Sequence, residues 1–321
     1  IRDRLWIQLY MFMFVKQEET MKKLLCALCA MTLLATATGC SNNNADKDKK
    51  ETSGNTLVVA SNNIDAKSQP DVDAQRKLLE ENGVEIFGLQ EVDNMTRRNH
   101  YDVVSKFKVD PYKDAFFSNA IAFSGGEYGI ATVSKYEFKS KDATKLYSDL
   151  FAGKEIAQEL ADAYKDYDPD NKESEAKMDA VSAKNPIEPR LYQRVVIEKD
   201  GKEIAFYNTH LSYEDQKLRK QQMETLMKAM DSDTCKYVIA VGDFNADQST
   251  KEFDAFKEKY HIANGLDGKW LDTYNGVDDT MKVNSVDNII VSKNITIKEV
   301  KMIPSKLSDH NPLVATLELG E

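Results

Sequence analysis

The chain has 321 residues, 41% of them hydrophobic, and a formal net charge of -10 at pH 7. This length can bury one large core or two ordinary ones, and the absence of a clear boundary after the leader favours one domain. An acidic surface does not by itself attract polyanions. Any phosphate-bearing substrate is therefore expected to be held locally, with help from a cation.

The first 55 residues are predicted to lie outside the folded domain. Residues 1–20 precede a better start at Met21 and are predicted to be upstream translation. Residues 21–39 combine two lysines, a short apolar stretch and small residues before Cys40. This pattern predicts a lipoprotein signal peptide, and a short transmembrane anchor is the alternative. Residues 40–55 are polar without apolar periodicity, which predicts a disordered tether.

These features together predict where the protein is found. Acylation of Cys40 would attach it to the outer face of a membrane in a bacterial cell envelope. Cys235 would then be the one free thiol of the mature chain, which excludes an internal disulfide. We expect a monomer whose membrane contact is this lipid.

Residues 56–321 are predicted to form the domain, and its first half alternates strands with a helix. Apolar runs predict strands at 57–61 and 84–92, and helical spacing predicts a helix at 71–82 that ends at Gly83. Two further strands, 115–123 and 128–136, flank the turn signal Ser124-Gly125-Gly126. Residues 139–185 are rich in Lys, Asp, Glu and Ala and lack strand signals. They are predicted to be a helical insertion with helices at 154–165 and 172–183.

The second half continues the alternation. Strands are predicted at 191–197 and 203–208 around the turn Asp200-Gly201, and at 237–241, 283–291, 295–302 and 313–319. The pairs Ser212/Asp215 and Ser249/Glu252 resemble capping boxes that open helices ending at Met230 and Tyr260. The sequence therefore predicts a layered α/β fold. No P-loop or G-x-G-x-x-G motif is present.

Polar residues stand at the ends of several of these strands. In the segment GDFNAD, alternation along an extended chain would point Asp243 and Asn245 to the same side and Phe244 into the core. A turn stabilised by Asp and Asn is the alternative for this motif alone. The whole set of polar residues at strand ends comprises Asn63, Glu91, His210, Asp243, Asn245, Asp287, Asp309 and His310.

These residue types suit acid–base and metal chemistry. Neighbouring side chains of an extended segment point apart, so His310 is predicted to take its carboxylate partner from Asp287 rather than from Asp309. Such a pair fixes the imidazole tautomer and raises its basicity. Glu91, with Asp309 or Asn63, offers hard oxygen ligands for Mg²⁺ or Mn²⁺. Too few Cys and His remain for a structural zinc site.

The motifs N-N-I-D, L-Q-E-V, Y-G-I-A, E-P-R, N-T-H-L, G-D-F-N-A-D, S-V-D-N-I and S-D-H-N-P occur in this order. The series resembles the endonuclease/exonuclease/phosphatase superfamily over residues 57–319, apart from the insertion. The resemblance implies a four-layer α/β/β/α sandwich of two mainly antiparallel sheets with outer helices. The active site would lie where strand ends of both sheets meet.

The resemblance also implies roles for the residues. Glu91 would be the principal ligand of Mg²⁺ or Mn²⁺, with Asn63 and Asp309 nearby. The His310–Asp287 pair would supply the base or a phosphate-binding imidazole. Asp243 would orient or activate the water, or protonate the leaving oxygen. Asn245 and His210 would hold phosphoryl oxygens.

The predicted function is hydrolysis of a phosphoester, most readily a phosphodiester, by in-line attack of water. Nucleic acid is the first substrate expected, with Arg97 and Arg98 either contacting backbone phosphates or forming a solvated basic pair. A phospholipid or sphingomyelin head group is the second, and a phosphomonoester is a further alternative. A non-catalytic binding lipoprotein is the contrasting class, which predicts the loss of at least one catalytic residue.

Overall fold

The computed structural model describes residues 55–148, 154–275 and 284–321. The predicted leader, Cys40 and the tether up to residue 54 lie outside these residues. Within the described parts of the chain, no helix is long and apolar enough to cross a membrane.

The described residues form strands and helices in an order close to the predicted one. The strands are β1 Thr56–Asn63, β2 Ile86–Asn94, β3 Asp114–Phe123, β4 Gly126–Ser134, β5 Ser140–Lys145, β6 Leu191–Lys199, β7 Lys202–His210, β8 Tyr237–Asp243, β9 Tyr260–Ile262, β10 Asp287–Ser292, β11 Ile295–Met302 and β12 Leu313–Leu319. The helices are α1 Val72–Glu81, α2 Val103–Phe107, α3 Lys154–Asp166, α4 Lys172–Ser182, α5 Gln216–Asp231 and α6 Asp254–Lys257.

The strands form two six-stranded sheets. The first has the order β11-β12-β1-β2-β4-β3 and the second the order β5-β6-β7-β8-β10-β9. Within each sheet one pair of neighbours is parallel, β1 with β2 and β7 with β8, and the other pairs are antiparallel. The predicted arrangement of two mainly antiparallel sheets is confirmed.

Three apolar clusters account for the layers. Between the sheets, Val59 and Leu317 of the first sheet belong to one cluster with Phe206 of the second. On the outer face of the first sheet, Leu79 of α1 and Phe107 of α2 pack in a second cluster. The third cluster lies on the outer face of the second sheet and includes residues of α5 and α6. Burial of these apolar faces is the main stabilising term, and it produces the α/β/β/α sandwich.

A close contact between the sheets lies below the cleft described in the next section. Gly88 of β2 has no side chain, and a Cβ there would lie 2.4 Å from Oδ1 of Asn208 on β7. The Asn208 amide donates to the carbonyl oxygens of Leu89 and Ala131, and its Oδ1 accepts from Gln90. These hydrogen bonds satisfy buried polar groups of both sheets, so they fix the separation of the two sheets at this point.

The insertion predicted at 139–185 differs from the structure at its start. Residues 140–145 form β5, which pairs with β6 although all six of its side chains are exposed. An edge strand with exposed charged side chains has no hydrophobic alternation, so the sequence pattern could not indicate it. The two helices of the insertion, α3 and α4, lie at the predicted positions.

Both predicted capping boxes are wrong. Asp215 caps α5 by accepting from the backbone N–H of Leu218, whereas Ser212 binds the side chain of Gln222. The predicted helix at 249–260 is reduced to the four residues of α6. Lys251 has a left-handed φ of 58° that a helix does not allow, and Glu252 pairs with Arg219 instead of capping.

Candidate active site

Polar residues at the ends of three neighbouring strands of the second sheet form one row. In the strand register His210 of β7 lies opposite Asp243 of β8, and Asp243 lies opposite Asp287 of β10. Cross-strand neighbours in register point to the same face of a sheet. The three side chains are therefore presented together. Asp287 is the first residue of β10 rather than the middle of a strand as predicted.

The first sheet contributes Glu91 through an irregularity in β2. The pairing of β2 with β4 shifts between Leu89 and Val92, and Glu91 has a left-handed φ of 52°. Such bulges redirect a side chain, and a strained non-glycine backbone is often found at functional sites. The Glu91 carboxylate consequently reaches the cleft from a strand whose neighbouring side chains are buried.

The cleft has a volume of about 640 Å³. Its lining combines carboxylates, imidazoles, tyrosines and two basic side chains. These residues are Lys67, Glu91, Tyr128, Glu188, Arg190, His210, Tyr213, Asp243, Asn245, Tyr274, Val286, Asp309 and His310. Six of the eight predicted site residues are among them. The other two, Asn63 and Asp287, are buried and hydrogen-bonded to lining residues.

Asp243 lies at the centre of the hydrogen-bonding network. Its Oδ2 accepts from Nδ2 of Asn63 at 3.0 Å, and its Oδ1 accepts from the backbone N–H of Asn245 at 2.9 Å. Asn245 has a φ of 49°, so it faces the cleft through a left-handed turn and not through the extended backbone predicted. Burial and the neighbouring Asp287 raise the pKa of Asp243 to about 7, although His310 acts in the opposite direction.

His310 has the predicted partner. Its Nδ1 lies 2.8 Å from Oδ2 of Asp287, and its Nε2 lies 3.7 Å from Oδ2 of Asp243. Burial alone would lower the pKa of His310, but the adjacent Asp287 carboxylate outweighs it and the pKa rises to about 10. Oδ1 of Asp287 is buried and has no hydrogen-bond partner among the described residues.

His210 has different surroundings. Its Nε2 lies 3.5 Å from Oδ2 of Asp243, while Nη1 of Arg190 approaches both ring nitrogens, at 2.7 and 2.9 Å. Burial and the Arg190 guanidinium hold the pKa of His210 well below its ordinary value. Arg190 also pairs with Glu188, whose Oε1 lies 3.0 Å from Nη1. His210 is therefore neutral beside a fixed cation.

Two sets of side chains in the described residues could hold a metal ion. Ligand atoms of Glu91, His210 and Asp243 lie within 4.8 Å of one another, as do those of Asp243, Asp287 and His310. Asn63 turns its Nδ2 toward Glu91, at 3.0 Å from Oε1, and its Oδ1 accepts from the backbone of Asp65. In this orientation Asn63 bridges two carboxylates as a donor and does not offer an oxygen ligand.

Asp309 lies beside other carboxylates. Burial raises its pKa, and the nearby Asp65 and Glu91 add to the rise while His310 opposes it. A group of anionic oxygens on one side of a cleft is the surrounding in which a hard divalent cation is favourable. Glu91 and Asp309 both line the cleft, but only Glu91 belongs to one of the two sets of described side chains that could hold a metal ion.

Some functional candidates had no role in the predictions from the sequence. Arg190 and Glu188 were noted only as part of the E-P-R motif, and Tyr128 only as part of Y-G-I-A. An arginine that directly precedes an apolar strand was the available signal for Arg190. Arg98, by contrast, is not among the residues that line the cleft, and its guanidinium pairs with Asp93. Arg97 is also away from the cleft, and its Nη1 donates to the backbone oxygen of Tyr167.

Comparisons with known proteins identify a family and several structures of similar fold. The model of the Endonuclease/Exonuclease/phosphatase family matches residues 54–310. No curated protein matches the chain. A solved structure of a protein of that family from Bacteroides thetaiotaomicron is 18% identical, with a TM-score of 0.58, over 83% of this chain and 98% of that one.

Two other solved structures carry more specific names. A mannosyl-6-phosphatase from Bacteroides thetaiotaomicron is 19% identical, with a TM-score of 0.53, over 81% of this chain and 99% of that one. The D. rerio protein TDP2, complexed with a single-strand DNA product, is 14% identical, with a TM-score of 0.53, over 82% and 99%. At these identities the likeness shows the shared fold.

Proposed function

The chain belongs to the endonuclease/exonuclease/phosphatase family, and from that premise we propose that it is a divalent-metal-dependent phosphoesterase that acts by in-line attack of water. The observation that carries the proposal is the convergence of Glu91, Asp243 and the His310–Asp287 pair in one cleft. No residue of the predicted catalytic set is missing, which disfavours a non-catalytic binding protein.

Glu91 and Asp309 are proposed to hold Mg²⁺ or Mn²⁺. When bound, the cation neutralises negative charge on the phosphoryl group. Asn63 keeps the Glu91 and Asp243 carboxylates in place by donating to both.

Three side chains, those of His310, Arg190 and His210, are proposed to bind the phosphoryl oxygens. Asp287 accepts a hydrogen bond from Nδ1–H of His310, so that Nε2 of the ring faces Asp243 and the cleft. On the other side Arg190, which is 3% exposed, offers a guanidinium beside His210. Donors held before the substrate arrives stabilise developing charge without reorganisation.

Asp243 is proposed to transfer the proton. Its two oxygens are fixed by Asn63 and by the backbone N–H of Asn245, so the carboxylate cannot rotate freely. It lies within 3.7 Å of both imidazoles. A carboxylate held at this position can accept the proton of the attacking water, and the same group or the His310–Asp287 pair can supply one to the leaving oxygen.

The charges of the cleft bear on the substrate. Its described lining includes three cationic groups and four carboxyl groups. The cationic groups belong to Lys67, Arg190 and His310, and the carboxyl groups to Glu91, Glu188, Asp243 and Asp309. This balance suits one phosphoester group better than a long polyanion. A phospholipid head group, a phosphomonoester and a single phosphodiester of a nucleic acid each present one such group, so all three are candidates. The names of the similar structures include a DNA complex and a sugar phosphatase.

The test is hydrolysis by the purified full chain. Bis-p-nitrophenyl phosphate, a single-stranded oligonucleotide, sphingomyelin in mixed micelles and a hexose phosphate are each assayed with Mg²⁺, with Mn²⁺ and with EDTA. We expect turnover of at least one substrate that EDTA abolishes and that Glu91→Gln reduces by about 10² or more. Glu127→Gln, which changes a carboxylate outside the cleft lining, is the matched control. Turnover that persists with EDTA would contradict the metal dependence.

We also propose that Cys40 anchors the protein to a membrane in the bacterial cell envelope. The small residues before Cys40 support this placement. Expressed in a bacterium, the wild-type chain is expected in the membrane fraction and Cys40→Ser in the soluble fraction. Mass spectrometry that finds an intact N-terminus beginning at Met21 on the mature protein would overturn the proposal.

A further inference from the structure

An ion pair joins the buried Asp93, near the end of β2, to the partly buried Arg98 in the loop that follows. Arg98 donates from Nε to Oδ2 of Asp93 at 2.6 Å and from Nη2 to Oδ1 at 3.0 Å. Thr96 and Asn99 also donate to Asp93, each at 2.9 Å, and the Asp93 side chain is fully buried. Four hydrogen bonds therefore satisfy one carboxylate two residues after Glu91.

The guanidinium of Arg98 also contacts two aromatic rings. Its Cζ lies 4.6 Å from the ring centroid of Phe123 and 5.9 Å from that of Tyr128, within the range of a cation–π contact. Tyr128 lines the cleft and is the strand partner of Asp93 in the pairing of β2 with β4. The ion pair thus packs against a wall of the cleft.

The helical insertion packs against one of these two rings, that of Phe123. The ring of Tyr167 stacks on Phe123 at 5.4 Å, and the ring of Tyr164 lies 6.3 Å from it. The backbone N–H groups of Ser124 and Gly125, in the β3–β4 turn, donate to the carbonyl oxygens of Tyr164 and Lys165. The insertion is therefore attached to the hairpin that carries Tyr128.

We propose that Arg98 is a positioning residue that holds the Tyr128 ring in the cleft wall. The insertion supports this arrangement by packing on Phe123 and the β3–β4 turn. The kinetic readout rests on the proposed phosphoesterase function. A planar guanidinium can bind a carboxylate through two hydrogen bonds and stack on rings at the same time, and no other side chain combines both contacts. Loss of this contact would leave the ring free to shift and would weaken substrate binding more than chemistry.

The chain offers a closely matched control. Arg194 donates to Asp233 through Nε at 2.6 Å and Nη2 at 2.9 Å, and the Asp233 side chain is also fully buried. This pair packs with Tyr207 on the second sheet, away from the cleft. Arg98→Met and Arg194→Met therefore remove equivalent ion pairs, and the two variants separate a loss of stability from a loss of positioning.

The experiment measures kcat and KM for bis-p-nitrophenyl phosphate with Mn²⁺, together with the midpoint of thermal unfolding. We expect both variants to unfold at a lower temperature. Arg98→Met is expected to raise KM about tenfold with kcat within about threefold of wild type. Arg194→Met is expected to keep the wild-type KM. Equal KM values for the two variants would overturn the proposal while leaving the phosphoesterase function intact.

A double-mutant cycle tests the contact itself. If Arg98 acts through Tyr128, then Arg98→Met should raise KM much less in a Tyr128→Ala background than in wild type. Arg98→Lys keeps the positive charge but not the planar guanidinium with its two hydrogen bonds to Asp93. Compared with Arg98→Met, it is expected to unfold at a higher temperature but to have a similarly raised KM. Independent effects of Arg98→Met and Tyr128→Ala on KM would contradict the positioning role. Absence of turnover by the wild type on all four substrates named above would instead count against the proposed function.

Discussion

The two sides of the cleft each present one histidine to Asp243, and their charges differ. His310 and His210 are both 5% exposed, and their Nε2 atoms lie 3.7 and 3.5 Å from Oδ2 of Asp243. Asp287 raises the pKa of His310 to about 10, whereas burial and Arg190 hold the pKa of His210 well below its ordinary value. Equal burial therefore does not decide the charge of an imidazole, and its nearest ionised partner does.

This difference assigns different tasks to the two sides. The His310 side carries its positive charge on an imidazole that a carboxylate orients. The His210 side carries it on Arg190, which cannot lose its proton, and His210 can only offer a neutral ring. Substitutions on the two sides should consequently differ in size and in kind.

The largest effect is expected from breaking the His310 side. His310→Ala, Asp287→Asn and the double variant should each lower kcat by about 10² to 10⁴ with smaller changes in KM. Because Asp287 acts through His310, either single loss should approach the loss of the double variant. Steady-state kinetics after circular dichroism confirms folding is the measurement, with the exposed His100→Ala as control. If the two single losses in kcat multiply in the double variant, Asp287 does not act through His310.

An intermediate effect is expected from the His210 side. Arg190→Lys keeps the charge beside Glu188 but loses the fixed guanidinium contact with His210. One charge-assisted hydrogen bond of about 1.5–3 kcal/mol corresponds to a loss in kcat/KM of roughly tenfold to a hundredfold. Arg219→Lys is the matched control, since Arg219 is a buried arginine that pairs with Glu252 outside the cleft. A wild-type kcat/KM for Arg190→Lys would show that this side does not bind the phosphoryl group.

The smallest effect is expected at the rim next to His210. Tyr213 lines the cleft and is 64% exposed, whereas Tyr147 is 53% exposed and lines a separate cavity. Tyr213→Ala is expected to raise KM for a ring-bearing substrate by about twofold to tenfold, from the loss of one ring contact. Tyr147→Ala should leave KM unchanged. The same KM increase in both variants would mean that Tyr213 does not bind the substrate.

Local patterns in the sequence were sufficient for much of the fold and part of the site. The helix at 72–81 and the two hairpins around Ser124-Gly125 and Asp200-Gly201 follow from spacing and turn residues, which act over a few positions. The pairing of His310 with Asp287 was predicted because neighbouring side chains of an extended segment point apart, which disfavours Asp309 and made Asp287 the natural candidate on another strand.

Other features depended on partners that are distant in sequence. β5 carries no alternation and is a strand only because the edge of β6 offers hydrogen bonds to it. Glu252 was expected to cap a helix, but a buried arginine 33 positions away binds it.

The cleft also has features that the sequence predicted and features that depend on distant partners. Its residue types and their positions at strand ends could be read from the sequence. The bulge that turns Glu91 inward and the approach of Arg190 to His210 could not, nor could the withdrawal of Arg98 into the pair with Asp93. Each of these depends on which backbone and which charge lie opposite in the folded chain, and only the packing of the two sheets brings those groups together.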